Sequence, residues 1–251
     1  MKLILRAASW IAAMGLVAGL LSASASADHP NALWHVVHGL CMRDARLIGR
    51  PDPCLSVNLK DGYAVVPDPK GRTQVLLVPT DRIVGIESPR LLAPDGVNYW
   101  QAAWEARRFV EKRAGRPVPR DAIGMAINSA YSRSQDQLHI HVDCVKPGVR
   151  RVLSARGRRI GTAWAPLRER LGGQRFMARR LSGEDLQDRD PFKLLSRGVP
   201  GARGHMARET LVVVGAVFAD GSPGFYLLGG DDGKAFGEGL LDHQCAVLSA
   251  P

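Results

Sequence analysis

The sequence NSAYSRSQDQLHIHVDC occupies residues 128–144, and its second half alternates between polar and apolar residues. Successive side chains of a β-strand point to opposite faces, so the alternation predicts a strand over residues 137–144 with two different faces. The apolar face holds Leu138, Ile140, Val142 and Cys144. The polar face holds Gln137, His139, His141 and Asp143. We expect the apolar face to pack inward and the polar face to present two imidazoles and an amide to a common space.

Segments on both sides of this strand predict an antiparallel sheet with packed helices. Apolar residues at helical spacing predict helices over residues 31–47 and 98–114. Apolar runs predict strands over 63–66, 74–78 and 122–127, and a hairpin over 210–219 and 224–228. Ser182 and Asp185 have the spacing of a capping box and predict another helix. This order predicts an α+β fold, with residues 28–251 as one catalytic domain.

Residues 1–27 have the composition of an export signal. Lys2 and Arg6 precede an apolar run over residues 7–21, and SASASA follows at residues 22–27. This pattern predicts a signal peptide that is cleaved after Ala27. An uncleaved membrane anchor is the alternative, since residues 7–27 are just long enough to cross a bilayer. Both interpretations place the rest of the chain in the periplasm or on the periplasmic face of the inner membrane.

Four cysteines, Cys41, Cys54, Cys144 and Cys245, fit an oxidising compartment. Four cysteines allow three pairings, and the residues alone do not choose among them. We predict a local bridge between Cys41 and Cys54 and a long-range bridge between Cys144 and Cys245. The latter would bring His243 close to the strand that carries His139.

The chain has a formal net charge of +10, and arginines are concentrated in residues 150–180. A solvated basic face is the simplest explanation for such a run. Because the export signal disfavours nucleic acid as a partner, an anionic membrane surface or a phosphate-bearing substrate is the expected counterpart.

The polar face of the 137–144 strand allows three interpretations. Its histidines can simply face solvent. They can also bind zinc together with a third ligand from Asp143, His205 or His243. In the third interpretation one neutral imidazole attacks phosphorus, and its neighbour hydrogen-bonds the oxygens on which charge develops.

The alternating histidine strand and the residues around it resemble the histidine-triad superfamily of nucleotide hydrolases and transferases. The resemblance is closer to the family of bacterial CDP-diacylglycerol pyrophosphatases. The shared features are Val78-Pro79-Thr80 with Arg82, GIESP at 85–89, Trp104 to Arg107, AINS at 126–129, HIHVDC at 139–144, ARRL at 178–181, His205-Met206 and DHQC at 242–245.

This resemblance implies an α+β histidine-triad-like fold and hydrolysis of CDP-diacylglycerol to CMP and phosphatidate, without a metal or other cofactor. By position, His139 matches the nucleophile that forms a nucleotidyl-histidine intermediate, and His141 matches the last histidine of the triad. Asn128 and Ser134 match residues that contact the nucleotide phosphate. The implied substrate is embedded in a membrane.

The chain departs from the triad at its first position, where Gln137 stands in place of histidine. Glutamine can hydrogen-bond substrate but cannot transfer a proton. Arg133, in the loop before the strand, is our first candidate for a pyrophosphate contact. A hydrolase of soluble nucleotides, a zinc-dependent hydrolase and a non-catalytic binding module are the alternatives that remain.

Overall fold

The computed structural model describes residues 29–232 and 235–249. The predicted signal peptide or anchor, residues 1–27, lies outside these ranges. Within them, no helix is both long enough and apolar enough to cross a membrane.

In the described ranges, ten strands form one sheet in which every paired neighbour is antiparallel. The strands are β1 (Ser56–Asn58), β2 (Tyr63–Pro67), β3 (Val75–Pro79), β4 (Ile123–Ile127), β5 (Ile140–Val145), β6 (Ala165–Pro166), β7 (Met177–Ser182), β8 (Thr210–Val217), β9 (Pro223–Gly230) and β10 (Leu241–Asp242). Their order is β1-β2-β3-β5-β4-β8-β9-β7-β6, and β10 pairs with the end of β5. The predicted α+β class with an antiparallel sheet is confirmed.

Helices precede, separate and follow these strands. They are α1 (Ala32–Trp34), a π-helical segment (His35–Cys41), α2 (Met42–Leu47), α3 (Tyr99–Ala114), α4 (Pro147–Arg156) and α5 (Pro191–Gly198). The first three are continuous and confirm the helix predicted over 31–47, as α3 confirms the one over 98–114. Asn98 caps α3 by accepting from the backbone nitrogen of Gln101.

The helix predicted from Ser182 is wrong. Ser182 is the last residue of β7, where it pairs with Gly224 of β9. The next helix is α5, which begins after Asp190, whose carboxylate accepts from the backbone nitrogen of Phe192. Pairing along β9 therefore overrides the local capping-box signal.

The histidine-bearing segment is shorter as a regular strand than predicted, since β5 begins at Ile140. Its alternation nevertheless extends back to Gln137. The apolar set Leu138, Ile140, Val142 and Cys144 belongs to the largest core cluster, which α3 and α5 cover on one face of the sheet.

The other face of the sheet is covered by two separate groups. One contains Leu76 and packs under the N-terminal helical segment. The second contains Ala126 and packs under α4. Leu76 on β3 and Ala126 on β4 are both paired with His141, so the polar face of β5 lies in the gap between the two groups.

Both predicted disulfides are confirmed. Cys41–Cys54 joins the N-terminal helical segment to the approach to β1, and Cys144–Cys245 joins β5 to the C-terminal segment. The second bridge is reinforced by β10, in which Asp242 pairs with Cys144.

Candidate active site

The gap over β5 forms a cleft of about 640 Å³. Its floor is polar and includes His139, His141 and Asn128. Its walls are largely apolar and are formed by Leu33, Val36, Pro53, Val66, Leu76 and Phe236. The histidines are 7% and 4% exposed, so the interpretation in which they simply face solvent is wrong.

The imidazole of His139 is held in one tautomer by the backbone. Its Nδ1 lies 2.7 Å from the carbonyl oxygen of Gln137. A carbonyl can only accept, so Nδ1 carries the proton and the lone pair lies on Nε2. Burial lowers the pKa of His139 below its ordinary value, which favours the neutral ring. This is the state that a nitrogen nucleophile requires.

His141 has the opposite tautomer because of Gln74. Nε2 of Gln74 donates to Oδ2 of Asp68 at 2.7 Å and to Nδ1 of His141 at 2.8 Å. The Asp68 carboxylate can only accept, so the NH₂ group of the Gln74 amide, rather than its oxygen, faces Asp68 and His141. Nδ1 of His141 therefore accepts, and the proton of the neutral ring lies on Nε2 of His141. Burial and the neighbouring His139 ring hold the pKa of His141 well below its ordinary value. The ring is therefore a neutral donor.

The two rings meet edge to face, with centroids 4.8 Å apart. A ring whose Nε2 has a lone pair thus lies next to a ring whose Nε2 carries a proton. This pair is suited to attack on a phosphorus while an oxygen of the same phosphate receives a hydrogen bond.

Asn128, at the end of β4, is joined to Glu238 by two hydrogen bonds. Its Nδ2 donates to Oε2 of Glu238, and the backbone nitrogen of Glu238 donates to its Oδ1, both at 3.0 Å. Oε2 of Glu238 also lies 3.3 Å from Nε2 of His141, although not in hydrogen-bonding geometry. The structure therefore brings Asn128 into the site, already paired with a carboxylate.

Ser134 is exposed and lines the cleft, as its predicted phosphate contact requires. Arg133 lies beside the site, but its guanidinium pairs with Glu87 at 2.7 Å and Asp136 at 3.3 Å. Gln137 is fully buried, and its Nε2 donates to the backbone carbonyls of Pro79 and Asp81 at 3.0 and 2.9 Å. Its amide nitrogen thus anchors the loop after β3.

The Cys144–Cys245 bridge brings His243 to the site, as expected if those cysteines pair. Nδ1 of His243 lies 3.4 Å from Oδ2 of Asp143, and its Nε2 lies 3.7 Å from Oε1 of Glu238. Pairing with Asp143 raises the pKa of His243. His205, by contrast, is exposed and outside the lining of the cleft.

Among the described residues, one set at the cleft has the geometry of a metal site. Ligand atoms of Asp68, His141 and Glu238 all lie within 4.8 Å of one another. The set does not include His139. It differs from the predicted zinc site, which combined His139 and His141 with Asp143, His205 or His243.

Comparison with known proteins identifies the family. The family model described as CDP-diacylglycerol pyrophosphatase matches residues 28–249. The chain belongs to the CDP-diacylglycerol pyrophosphatase family. It is also 38% identical over 226 residues to a Yersinia pestis protein named CDP-diacylglycerol pyrophosphatase, covering 88% of this chain and 86% of that protein.

Membership of the CDP-diacylglycerol pyrophosphatase family makes the chain an enzyme, a hydrolase that acts on a pyrophosphate bond. The non-catalytic binding module is therefore excluded. The matched region contains all of the described residues, so the cleft lies inside it.

Sequence reasoning missed several residues of the cleft. Asp68 and Gln74 flank the turn between β2 and β3, where polar residues are ordinary turn formers. Glu238 lies in a short 3₁₀ turn, Gly237–Leu240, that carries no distinctive pattern. Only His243 had a signal, because the DHQC motif places it two residues before a cysteine.

The lowered pKa of His139 predicts the pH dependence of this family member. A nucleophilic role for His139 requires a neutral ring, and on that basis kcat/KM should decline only at pH values below the ordinary histidine pKa of about 6.5. An unfolded chain takes up this proton at about pH 6.5, so the contribution of His139 to the free energy of unfolding should be lost in acid, opposite in sign to that of Glu209, whose pKa burial raises to about 7. Activity profiles, and urea-unfolding profiles of the wild type compared with His139→Gln, from pH 4.5 to 8 test both. An acid limb centred at or above 6.5 would contradict the assignment.

Proposed function

We propose that the chain hydrolyses CDP-diacylglycerol to CMP and phosphatidate through a nucleotidyl-histidine intermediate on His139, in a histidine-triad-like site. The observation that carries this proposal is the hydrogen bond from Nδ1 of His139 to the carbonyl of Gln137, which leaves Nε2 with its lone pair. Nε2 forms a bond to the phosphorus of the cytidylyl group. The bond from that phosphorus to the bridging oxygen breaks, and phosphatidate leaves with the electron pair.

His141 assists this step as a neutral donor. The two rings are in edge-to-face contact, and in the proposed step the Nε2–H of His141 hydrogen-bonds the phosphate oxygens as charge develops. The leaving group is a phosphate monoester with a second pKa of about 6, so it can depart without full protonation. Gln137 in place of histidine is therefore compatible with turnover.

The shape of the cleft fits a substrate with a charged centre and an apolar part. Polar groups lie on the floor, and the walls are mainly apolar. Leu33 and Val36 belong to the N-terminal helical segment, which begins at Ala32, shortly after residues 1–27. We infer that residues 1–27 export the chain to the periplasm. If they are retained, they anchor the wall formed by Leu33 and Val36 next to the membrane.

The same helical segment ends in apolar side chains that face solvent. Leu47 is 75% exposed and Ile48 is 65% exposed, and Arg43 and Arg46 are exposed beside them. Leucine and isoleucine next to arginine are the combination that binds an anionic bilayer surface. We propose that this end of the molecule contacts the membrane that holds the substrate.

Chelation distinguishes this mechanism from the zinc alternative, which the cluster of Asp68, His141 and Glu238 favours. We expect CMP release from CDP-diacylglycerol in detergent micelles to be unchanged by EDTA and by added zinc. Loss of activity in EDTA with recovery in zinc would show that the site holds a metal ion.

Substrate comparison distinguishes a lipid hydrolase from a hydrolase of soluble nucleotides. We expect kcat/KM for CDP-diacylglycerol to exceed that for CDP-glycerol, since only the lipid contacts the apolar walls. Equal values for the two substrates would contradict the role assigned to those walls.

A further inference from the structure

The second half of the proposed reaction needs a base that Gln137 cannot provide. Water must lose a proton as it attacks the nucleotidyl-histidine, and an amide has no basic group for it. The amide nitrogen of Gln137 is in addition committed to two backbone carbonyls. The base must therefore come from another part of the cleft.

Among the described residues, two carboxylates line the cleft, Asp68 and Glu238. Both oxygens of Asp68 are used to hold local structure. Oδ1 accepts from the backbone nitrogen of Lys70 at 2.8 Å, and Oδ2 accepts from Nε2 of Gln74 at 2.7 Å. Asp68 thus serves to orient Gln74 and, through it, His141.

Glu238 is placed differently, because one of its oxygens is directed at the histidine pair. Oε2 lies 3.3 Å from Nε2 of His141 and accepts from Asn128. It lies beside His141 rather than in contact with Nε2 of His139, so it leaves the nucleophile free. Glu238 lines the cleft and keeps 14% of its side chain exposed, so a water molecule bound there would be within reach of this carboxylate.

His243 supports the other oxygen of Glu238. Its ring lies between Oε1 of Glu238, at 3.7 Å, and Oδ2 of the fully buried Asp143, at 3.4 Å. These are ion-pair distances, and Nδ1 of His243 is not in hydrogen-bonding geometry with Asp143. The Cys144–Cys245 disulfide ties the segment that bears His243 to β5. The three side chains form the series Asp143–His243–Glu238, which ends at the cleft.

We propose that Glu238 is the general base for hydrolysis of the nucleotidyl-histidine and that His243, held by Asp143, is its positioning residue. This inference rests on the proposed function. In this step the water oxygen forms a bond to phosphorus, the phosphorus–Nε2 bond to His139 breaks, and the electron pair returns to Nε2. One water proton passes to the Glu238 carboxylate, which releases it to solvent after CMP departs.

The charges around Glu238 are consistent with this role. A carboxylate next to a bound diphosphate repels it, so a negative charge fixed at this point opposes substrate binding. Glu238 is nevertheless held through its side chain and its backbone nitrogen by Asn128. Lys70 lines the cleft, and the ring of His243, whose pKa is raised by Asp143, lies 3.7 Å from Oε1 of Glu238, so positive charge on these groups offsets part of the repulsion. Proton transfer from water gives a reason for the carboxylate to be there.

The substitution Glu238→Gln tests the base directly, because glutamine keeps an oxygen for Asn128 but takes up no proton. We expect a burst of about one phosphatidate per enzyme at close to the wild-type rate, followed by turnover slowed about 100- to 1000-fold. Labelled cytidylyl-enzyme should accumulate when the substrate is CDP-diacylglycerol with ³²P in the cytidylyl phosphate. Equal slowing of the burst and of turnover, or no slowing at all, would overturn the inference.

Two further variants separate this inference from the proposed function. Asp232→Asn removes one negative charge from an exposed residue outside the cleft lining and should behave as wild type. His139→Ala combined with Glu238→Gln should show no burst. A burst without His139, or no labelled enzyme in any variant including wild type, would overturn the proposed function. Labelled wild-type enzyme with no accumulation in Glu238→Gln would overturn only the role of Glu238.

His243→Asn tests the positioning role. We expect it to slow the second step about tenfold and to leave the phosphatidate burst intact, because it acts only through Glu238. His243→Lys, which retains a cation, should recover part of the loss. Equal slowing of both steps, with no recovery in the lysine variant, would show that His243 only anchors the C-terminal segment.

Discussion

His139→Ala is expected to lower kcat for CMP release by at least about a thousandfold, equivalent to about 4 kcal/mol of transition-state stabilisation. The side chain supplies the only bond that the proposed first step forms. Its Nε2 carries the lone pair because Nδ1 is hydrogen-bonded to the carbonyl of Gln137. Rates of CMP release from CDP-diacylglycerol in detergent, measured in EDTA, give the comparison with wild type.

His205→Ala is the matched control, since His205 is an exposed histidine outside the lining of the cleft. It should retain wild-type activity. Circular dichroism and thermal unfolding establish that the His139 variant is folded. A folded His139→Ala enzyme within tenfold of wild type would rule out His139 as the nucleophile.

Removal of the Cys144–Cys245 bridge is expected to give the largest loss of stability among the variants considered. The bridge closes a loop with a sequence separation of 101, whereas Cys41–Cys54 closes one of 13. Loop-closure entropy predicts losses of about 4.7 kcal/mol and about 3 kcal/mol respectively. We therefore expect the Cys144→Ala/Cys245→Ala pair to unfold at lower urea concentration than the Cys41→Ala/Cys54→Ala pair.

Catalytic activity should also differ between the two double-cysteine variants. Without the Cys144–Cys245 bridge, His243 loses its covalent tie to β5 and is held by β10, by its ring contacts and by hydrogen bonds from Arg72 and Thr73 to its carbonyl oxygen. Hydrolysis of the intermediate should therefore slow in this variant even under conditions where it is fully folded. The Cys41–Cys54 pair lies behind the apolar wall and should leave the chemical steps unchanged. The reverse order in stability or activity would contradict this account.

The sequence predicted the site residues that recur with the two-residue period of a β-strand. Alternation between residues 137 and 144 placed His139 and His141 on one face, and the structure confirms this down to the burial of Ile140 and Val142 in the opposite core. It did not indicate that the polar face is buried as well. That burial comes from the N-terminal helical segment and α4, which cover the sheet on either side of the cleft.

Site residues that are brought together by long-range strand pairing could not be predicted from local sequence patterns. Gln74 reaches His141 because β3 pairs with β5, and Glu238 reaches Asn128 across 110 residues of sequence. Neither contact has a spacing that periodicity can detect. His243 was the exception, since a covalent bridge gave the sequence one long-range constraint to use.

The errors in secondary structure have the same physical origin. The capping-box spacing at Ser182 is real, but β7 gains six pairings with β9, and these outweigh a local cap. Helix α4 lies in the arginine-rich stretch that followed β5, where charge patterning gave no sign of it. Its Val149 and Leu153 are buried against the sheet, so tertiary packing explains its formation.

The most direct test of the account is to identify the covalent intermediate. Wild-type enzyme in turnover with CDP-diacylglycerol labelled in the cytidylyl group is quenched in base, in which phosphohistidine survives, and digested for peptide mass spectrometry. We predict a cytidylyl group on the peptide that contains residues 137–144, located at His139 and lost in His139→Ala. Full turnover with no labelled peptide, or with the label on another residue, would contradict the mechanism proposed for this cleft.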